Sequence, residues 1–232
     1  MNTTPYLPSG TVYGTLLNFQ REHALWAPRM SEQPYKAPPQ APVLYIKTAN
    51  TFTPSGHAIA LPRGVVEVDV SASLGLVAGA GGAVAGCVLF NDVALPHASY
   101  YRPPVKFRCV DGFLGVGRSA RPWDAVGGFA GLAGLLLELR VHGVLKQTVA
   151  LADLVRDAAT LWADVNAFQT LQAGDVLMLG TDCLSDGSRP RARVGDAVEI
   201  TASGFQPLVN HFVQEDGPHP TAPAARMEGT AP

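Results

Sequence analysis

Ser71 and Ser73, in VDVSASLGLVAG (68–79), stand at i and i+2 of an apolar run, so a strand would turn both hydroxyls to one face. Asp92 follows in FNDVAL, and then YYRPPVKFRCVDGFLGVGR, dense in polar and aromatic groups as loops that line a site tend to be. In that segment Arg102 can grip a carboxylate bidentately, with Tyr101 beside it. Arg108 stays charged near neutrality; it can clamp a carboxylate or stabilise an enolate oxygen but cannot accept a proton. Lys47, closing VLYIK, falls at a strand-to-loop boundary, where a lone surface lysine would mean little. Glu22 and His23, in QREHALW, put a carboxylate and an imidazole on one mobile segment, able to work as general base and acid if closure brings either within reach. Blander roles stay open: Glu22 and His23 as exposed helix residues, Arg108 as a structural arginine paired to Asp111. His97, His142 and His211 share no ligand spacing and read as surface or turn residues.

The whole chain narrows these choices. Its 232 residues, 47% hydrophobic and 16% charged, suffice for a substantial core. Seventeen basic against 19 acidic residues leave no electrostatic footprint for nucleic acid or an anionic membrane. Cys87, Cys109 and Cys183 form no CxxC pair, which argues against a disulfide framework or a zinc site and suits a reducing cytoplasm. No window has the apolar length of a membrane span. The GAGGA stretch lacks the lysine and register of a phosphate loop and reads as a turn.

Twenty-four glycines and 19 prolines, spread along the sequence, favour many short strands. Strands are expected at TVYGTLL, VLYIKT, VVEVDVSASLGLVAG, VAGCVLFNDVAL, GDVLMLGTD and GDAVEITASGF, the last two entered through Gly-Asp turns. The glycine-rich turn joins two of these runs directly, and His142-Gly143 marks a second hairpin. REHALWAPRM is helix-compatible until Pro28, and Asp153 is a candidate cap for a helix carrying Leu154, Leu161, Trp162 and Val165. The division expected is an amino-terminal strand, lid segment and Pro-rich loop (1–42), a catalytic domain (43–213) and a disordered tail (214–232).

The blocks LLNF, VLYIKTANT, SASLGLVAG, FNDVALP, KFRCVDGF, GDVLMLGTD and VGDAVEI together resemble the fumarylacetoacetate hydrolase superfamily. QPYKAPPQAP, YRPPVK and CVDGF are most similar to the amino-terminal half found in its isomerase/decarboxylase branch, which serves 4-hydroxyphenylacetate (homoprotocatechuate) degradation. The resemblance implies a mainly β fold with few helices, a mixed β-sandwich roll, as a homodimer or paired with a homologous carboxy-terminal subunit. It implies a small dicarboxylic 2-oxo acid as substrate. Two steps belong to that branch: decarboxylation of 5-oxopent-3-ene-1,2,5-tricarboxylate and isomerisation of 2-hydroxyhepta-2,4-diene-1,7-dioate.

The superfamily's Mg or Mn is held by an ExE pair and an aspartate. In this sequence the pair falls on Ser71 and Ser73, leaving Asp92 as a remnant ligand, so weak or absent metal binding is expected. A family lysine becomes Arg108, with Asp111 and Phe113 kept; the lid's histidine position is taken by Glu22, with His23 one residue later; Leu25 replaces the lid glutamate. Thr181 matches a turn threonine of the substrate pocket, with Asp182 in place of a proline. The resemblance thus implies Glu22, His23, Arg108 and Asp111 as catalytic residues, and Lys47, Tyr101, Arg102 and Thr181 as substrate contacts. A catalytically weakened scaffold that supports a metal-bearing paralogue is the alternative.

Overall fold

The structure, a computed structural model, describes residues 5–34, 36–97 and 105–216. The order of elements is β1 (Val12–Leu16), α1 (Gln20–Met30), β2 (Val43–Lys47), β3 (Phe52–Pro54), β4 (Ala58–Leu61), β5 (Glu67–Asp69), β6 (Ala72–Ala78), β7 (Val84–Asp92), α2 (Val105–Arg108), β8 (Leu114–Val116), β9 (Arg121–Pro122), α3 (Gly128–Leu132), β10 (Leu136–Val141), β11 (Val144–Ala150), α4 (Ala158–Asn166), β12 (Val176–Met178), β13 (Arg191–Arg193), β14 (Ala197–Ala202) and β15 (Leu208–Gln214). The expected mainly β architecture is what forms. One sheet runs β2-β1-β12-β6-β7-β8-β3, with β9 attached to β7; a five-stranded sheet runs β11-β10-β14-β15-β4; β5 and β13 make a ribbon. Parallel pairs, β1 with β12, β3 with β8 and β15 with β4, make the two larger sheets mixed.

Period-two alternation sorts the side chains of the central hairpin. On β6, Ala72, Leu74, Leu76 and Ala78 join Leu89 of β7, Leu137 and Leu139 of β10, and Ile200 of β14 in the core between the two larger sheets. The opposite face of the hairpin, with Val77, Val88 and Phe90, meets Val12, Tyr45, Val176 and Met178 in a second core inside the curl of the eight-stranded sheet. Ser73 shares the face of Val77, and Asp92 that of Phe90. Curling brings side chains of the edge strand β2 across this interior to the end of β7, which is what assembles the candidate site.

Gly14 on β1 is opposite Tyr45 on β2, and a Cβ there would fall inside the Tyr45 ring. The phenol is therefore seated on bare backbone.

The turns follow their chemistry. His142 and Gly143 adopt φ of 49° and 74° between β10 and β11, as a tight hairpin requires. Asp175 and Asp196, each after a glycine of positive φ, accept backbone N–H bonds at the entries to β12 and β14. Two expectations need correction. The helix α1 runs through Pro28 to Met30, because a proline in the last turn removes only one late hydrogen bond. The cap of α4 is Asp157, whose carboxylate accepts from Thr160 N at 2.7 Å, while Asp153 lies in a short 3₁₀ turn upstream. The strand β15 continues through Gln214, and most of the expected tail, 217–232, lies outside the described residues.

Gly14→Ala will displace Tyr45. The expected cost is about 1–3 kcal/mol of stability, as for other overpacked cores, read from the urea midpoint.

Candidate functional site

Asp92 is the centre of the arrangement. It is 1% exposed, and the charges around it are those of the protein itself. Lys47 Nζ lies 2.8 Å from Oδ1, Arg108 Nη1 donates to Oδ2 at 2.8 Å, and the Tyr45 hydroxyl donates to the same Oδ2. The Arg108 guanidinium also lies over the Tyr45 ring, 4.4 Å from its centroid. Lys47 is fully committed: Nζ donates to the carbonyls of Val93 (2.8 Å), Arg108 (2.7 Å) and Phe113 (2.8 Å). Three donated bonds require an ammonium and take up its hydrogens, and Asp92 Oδ1, at 2.8 Å, is a fourth oxygen gathered round the same charge.

Burial would push the Asp92 carboxyl up, but Lys47 and Arg108, aided by the hydrogen bonds, outweigh it and hold the group below its ordinary value. Burial, reinforced by the Asp92 charge, raises Tyr45 well above the usual phenol range, so it stays protonated. For Lys47, burial lowers the value and Asp92 opposes the change.

A second set of ion pairs ties α1 to the 180–190 segment. Asn18 fixes the base of the helix, donating to the carbonyls of Leu179 (2.9 Å) and Arg156 (3.1 Å) and accepting from Arg156 N (2.9 Å). Glu22, buried, accepts from Leu17 N at 3.3 Å and pairs with Arg189, whose Nη1 donates to the Asp182 carbonyl at 2.7 Å. From the helix side, Arg21 donates to the Cys183 carbonyl at 2.8 Å and lies 3.4 Å from the Asp182 carboxylate. Burial, with Glu22 nearby, raises the Asp182 carboxyl. These arginines cross between helix and loop and tie α1 to the 180–190 segment.

The other expected residues fall as follows. Ser71 and Ser73 are buried, and Ser73 Oγ donates to the Gly180 carbonyl at 2.7 Å. Thr181 is buried in the turn that Asn18 holds. Asp111 is exposed and accepts from Asn50 Nδ2 at 2.5 Å, so Arg108 pairs with Asp92 and not with Asp111. His23 is half-buried, next to Glu22 on α1. Tyr101 and Arg102 lie outside the described residues.

Three groups escaped the sequence reading. Tyr45 is two residues before Lys47 on the same strand face, a spacing that could have revealed it. Arg189 sits in an aperiodic Ser-Arg-Pro turn that gives no such signal. His97, read as a surface residue, stacks on Phe107 (4.8 Å) with Nδ1 2.9 Å from the Leu95 carbonyl; burial, followed by Arg108 and Arg189 with Asp69 opposing, lowers its value.

The model of the fumarylacetoacetate (FAA) hydrolase C-terminal family matches residues 11–213. The chain belongs to the fumarylacetoacetate hydrolase family. A "4-hydroxyphenylacetate degradation bifunctional isomerase/decarboxylase" of Escherichia coli is 34% identical over 220 residues, covering 89% of this chain and 48% of the relative. Its namesake from Salmonella dublin is 35% identical over 217 residues, with the same coverage. The chain thus spans about half the length of these relatives. Among solved structures, a 5-carboxymethyl-2-hydroxymuconate delta-isomerase from Mycobacterium smegmatis superposes with a TM-score of 0.72 at 21% identity, covering 92% of this chain and 82% of its own. That likeness establishes the family fold.

The donors present do not fit the family's divalent cation. Mg or Mn needs anionic oxygen, and here the one carboxylate already faces an ammonium and a guanidinium, while Ser71 and Ser73 supply only neutral hydroxyls. A dication at Asp92 would meet two resident positive charges at close range.

Asp92→Asn leaves Lys47 and Arg108 buried without a counter-charge and is expected to cost about 3–5 kcal/mol in urea unfolding at pH 7. Because the folded carboxyl is lowered, this cost is fully present above the ordinary carboxylate pKa, about 4. It shrinks as pH falls below that value and Asp92 of the wild type takes up its proton. Unfolding series of both proteins from pH 7 to pH 3 check the convergence.

Proposed function

We propose that this chain is a metal-independent isomerase that ketonises 2-hydroxyhepta-2,4-diene-1,7-dioate to its 2-oxo-3-ene form, as the counterpart of the amino-terminal half of the bifunctional isomerase/decarboxylases. The observation that carries the reading is the neutralisation of Asp92 by Lys47 and Arg108. Decarboxylation benefits from a chelated metal as electron sink, whereas ketonisation mainly moves protons: one leaves the 2-hydroxyl, one arrives at C5, and the double bonds shift between them. A site with fixed internal cations suits the second.

Glu22 is the favoured proton carrier, since its carboxyl group is buried on the inner side of α1 with Arg189 beside it. His23, half-buried on the same helix, is the alternate. Arg108 and Arg189 supply positive charge for the developing enolate and its carboxylate; the charges of both are felt at His97 and Asp69, which places these groups in one electrostatic neighbourhood. Lys47 supports the reaction from behind, as the counter-charge that fixes Asp92, with no hydrogen left for substrate. Thr181, Tyr101, Arg102 and Asp111 remain substrate-contact or catalytic candidates on the resemblance alone. The chain is proposed to act in the cytoplasm, as a homodimer or beside a homologous carboxy-terminal subunit.

Turnover of the purified chain on both branch substrates, with Mg and with EDTA, tests the proposal. Isomerisation is expected to survive EDTA and decarboxylation to be absent; decarboxylation abolished by EDTA would reverse the assignment, and inactivity on both would leave the scaffold role. Glu22→Gln is expected to lower kcat by about 100-fold or more; it also takes the carboxylate away from the largely buried Arg189 and lowers the urea midpoint, so turnover is compared under conditions where circular dichroism shows the variant folded.

A further inference from the structure

An open cleft of about 520 Å³ lies between α1, β11 and the 180–190 segment, walled by Arg21 of α1, by Lys146, Gln147 and Thr148 of β11, and by Ser185 and Asp186 of that segment. Its volume is in the range of small-ligand sites. Two cations face one acid there, and their states differ. Arg21 is engaged by Asp182 and the Cys183 carbonyl, and Asp186 accepts from Ser188 N (2.9 Å) and Oγ (2.6 Å). Lys146 has no ion pair among the described residues.

The backbone presents Lys146 in an unusual way. Leu139 pairs with Gln147 and Arg140 with Leu145, so Lys146 is the extra residue of a β-bulge, a device that re-aims a side chain. Gln147 next to it is anchored, Nε2 donating to the Asp182 carbonyl at 3.1 Å, the same carbonyl that takes Arg189. Arg21 and Glu22 are adjacent on α1, the first lining the cleft and the second buried against Arg189. Two residues of the cleft, Arg21 and Gln147, contact Asp182, whose carbonyl also takes Arg189, the partner of Glu22, so the cleft connects to that pair through Asp182.

We propose that this cleft is the subsite for the distal carboxylate of a dicarboxylic substrate, with Lys146 as its principal anchor and Arg21 as the second charge. The assignment rests on the isomerase reading for the identity of the substrate, and on the commitment of Lys47, which leaves the distal carboxylate in need of another cation. Lys146 is a specificity-determining residue in this scheme: it selects a second carboxylate and takes no part in proton transfer.

The test separates the subsite from the reaction by using glutarate, an unreactive dicarboxylate, with butyrate as its single-carboxylate control, in calorimetric titrations of the full chain. Wild type is expected to bind glutarate at least about tenfold more tightly than butyrate, with the preference weakening as salt rises. Lys146→Met is expected to abolish the preference, Lys146→Arg to restore most of it, and Arg193→Met, outside the cleft, to leave it intact. In turnover of the dioate, Lys146→Met is expected to raise KM about tenfold with a much smaller change in kcat. Equal binding of glutarate and butyrate, or a preference that survives Lys146→Met, would overturn the subsite. So would 2-hydroxyglutarate binding through Gln147 Oε1 tenfold more tightly than glutarate, since the cleft would then take the hydroxy-acid end. A chain that turns over neither branch substrate but shows the Lys146-dependent preference refutes the isomerase reading and keeps the dicarboxylate subsite.

Discussion

A buried carboxylate must be neutralised, and how it is neutralised decides what a site can do. In this protein Asp92 is met by Lys47 and Arg108, and the ammonium of Lys47 in turn gathers carbonyls from three separate stretches of chain, at Val93, Arg108 and Phe113. The end of β7, the end of α2 and the entry to β8 are held by one point charge. The electrostatic centre and the structural centre of this region are therefore the same few atoms.

The curl of the large sheet makes that arrangement reachable. Tyr45 and Lys47 come from an edge strand, yet both end against β7 because the sheet folds its own edge into its interior. Gly14 gives the Tyr45 ring room to lie flat, and Phe90, Val88 and Val176 keep the remaining interior apolar. Low polarity around the cluster strengthens each of its charge contacts and makes an unpaired member correspondingly costly. The lid differs in character: in α1 only Glu22 and Met30 are buried, and α1 is held through crossed arginine contacts at its inner turn. A helix held mainly by polar contacts can open without disturbing the sheet beneath it.

Much of this was legible in the sequence where local chemistry decides the outcome. Glycine-led turns, the two hairpins and the strand runs were written in adjacent residues, and the family blocks fixed the fold class. Asp92, Glu22 and Arg108 stood out from the same blocks, and all three are buried in the structure. What escaped depends on contacts between distant segments. Nothing near Lys47 in sequence says that its ammonium will be spent on backbone carbonyls 46, 61 and 66 positions away. Arg189 is 167 positions from Glu22, in a turn without period or propensity to mark it. Asp153 and Asp157 are both plausible caps on composition, and only the fold's placement of the first helical turn chooses between them.

The cluster at Asp92 also bears on how this chain could change under mutation. An acidic residue at Ser71 or Ser73 alone would add one carboxylate to a site whose remaining carboxylate, Asp92, is already neutralised by two cations, and one more oxygen donor group does not remove them. Removing Lys47 or Arg108 first would unbalance the buried charge and weaken the fold. No single substitution builds the family's metal site, because two carboxylates must enter and two cations must leave, so the present arrangement acts as an evolutionary ratchet.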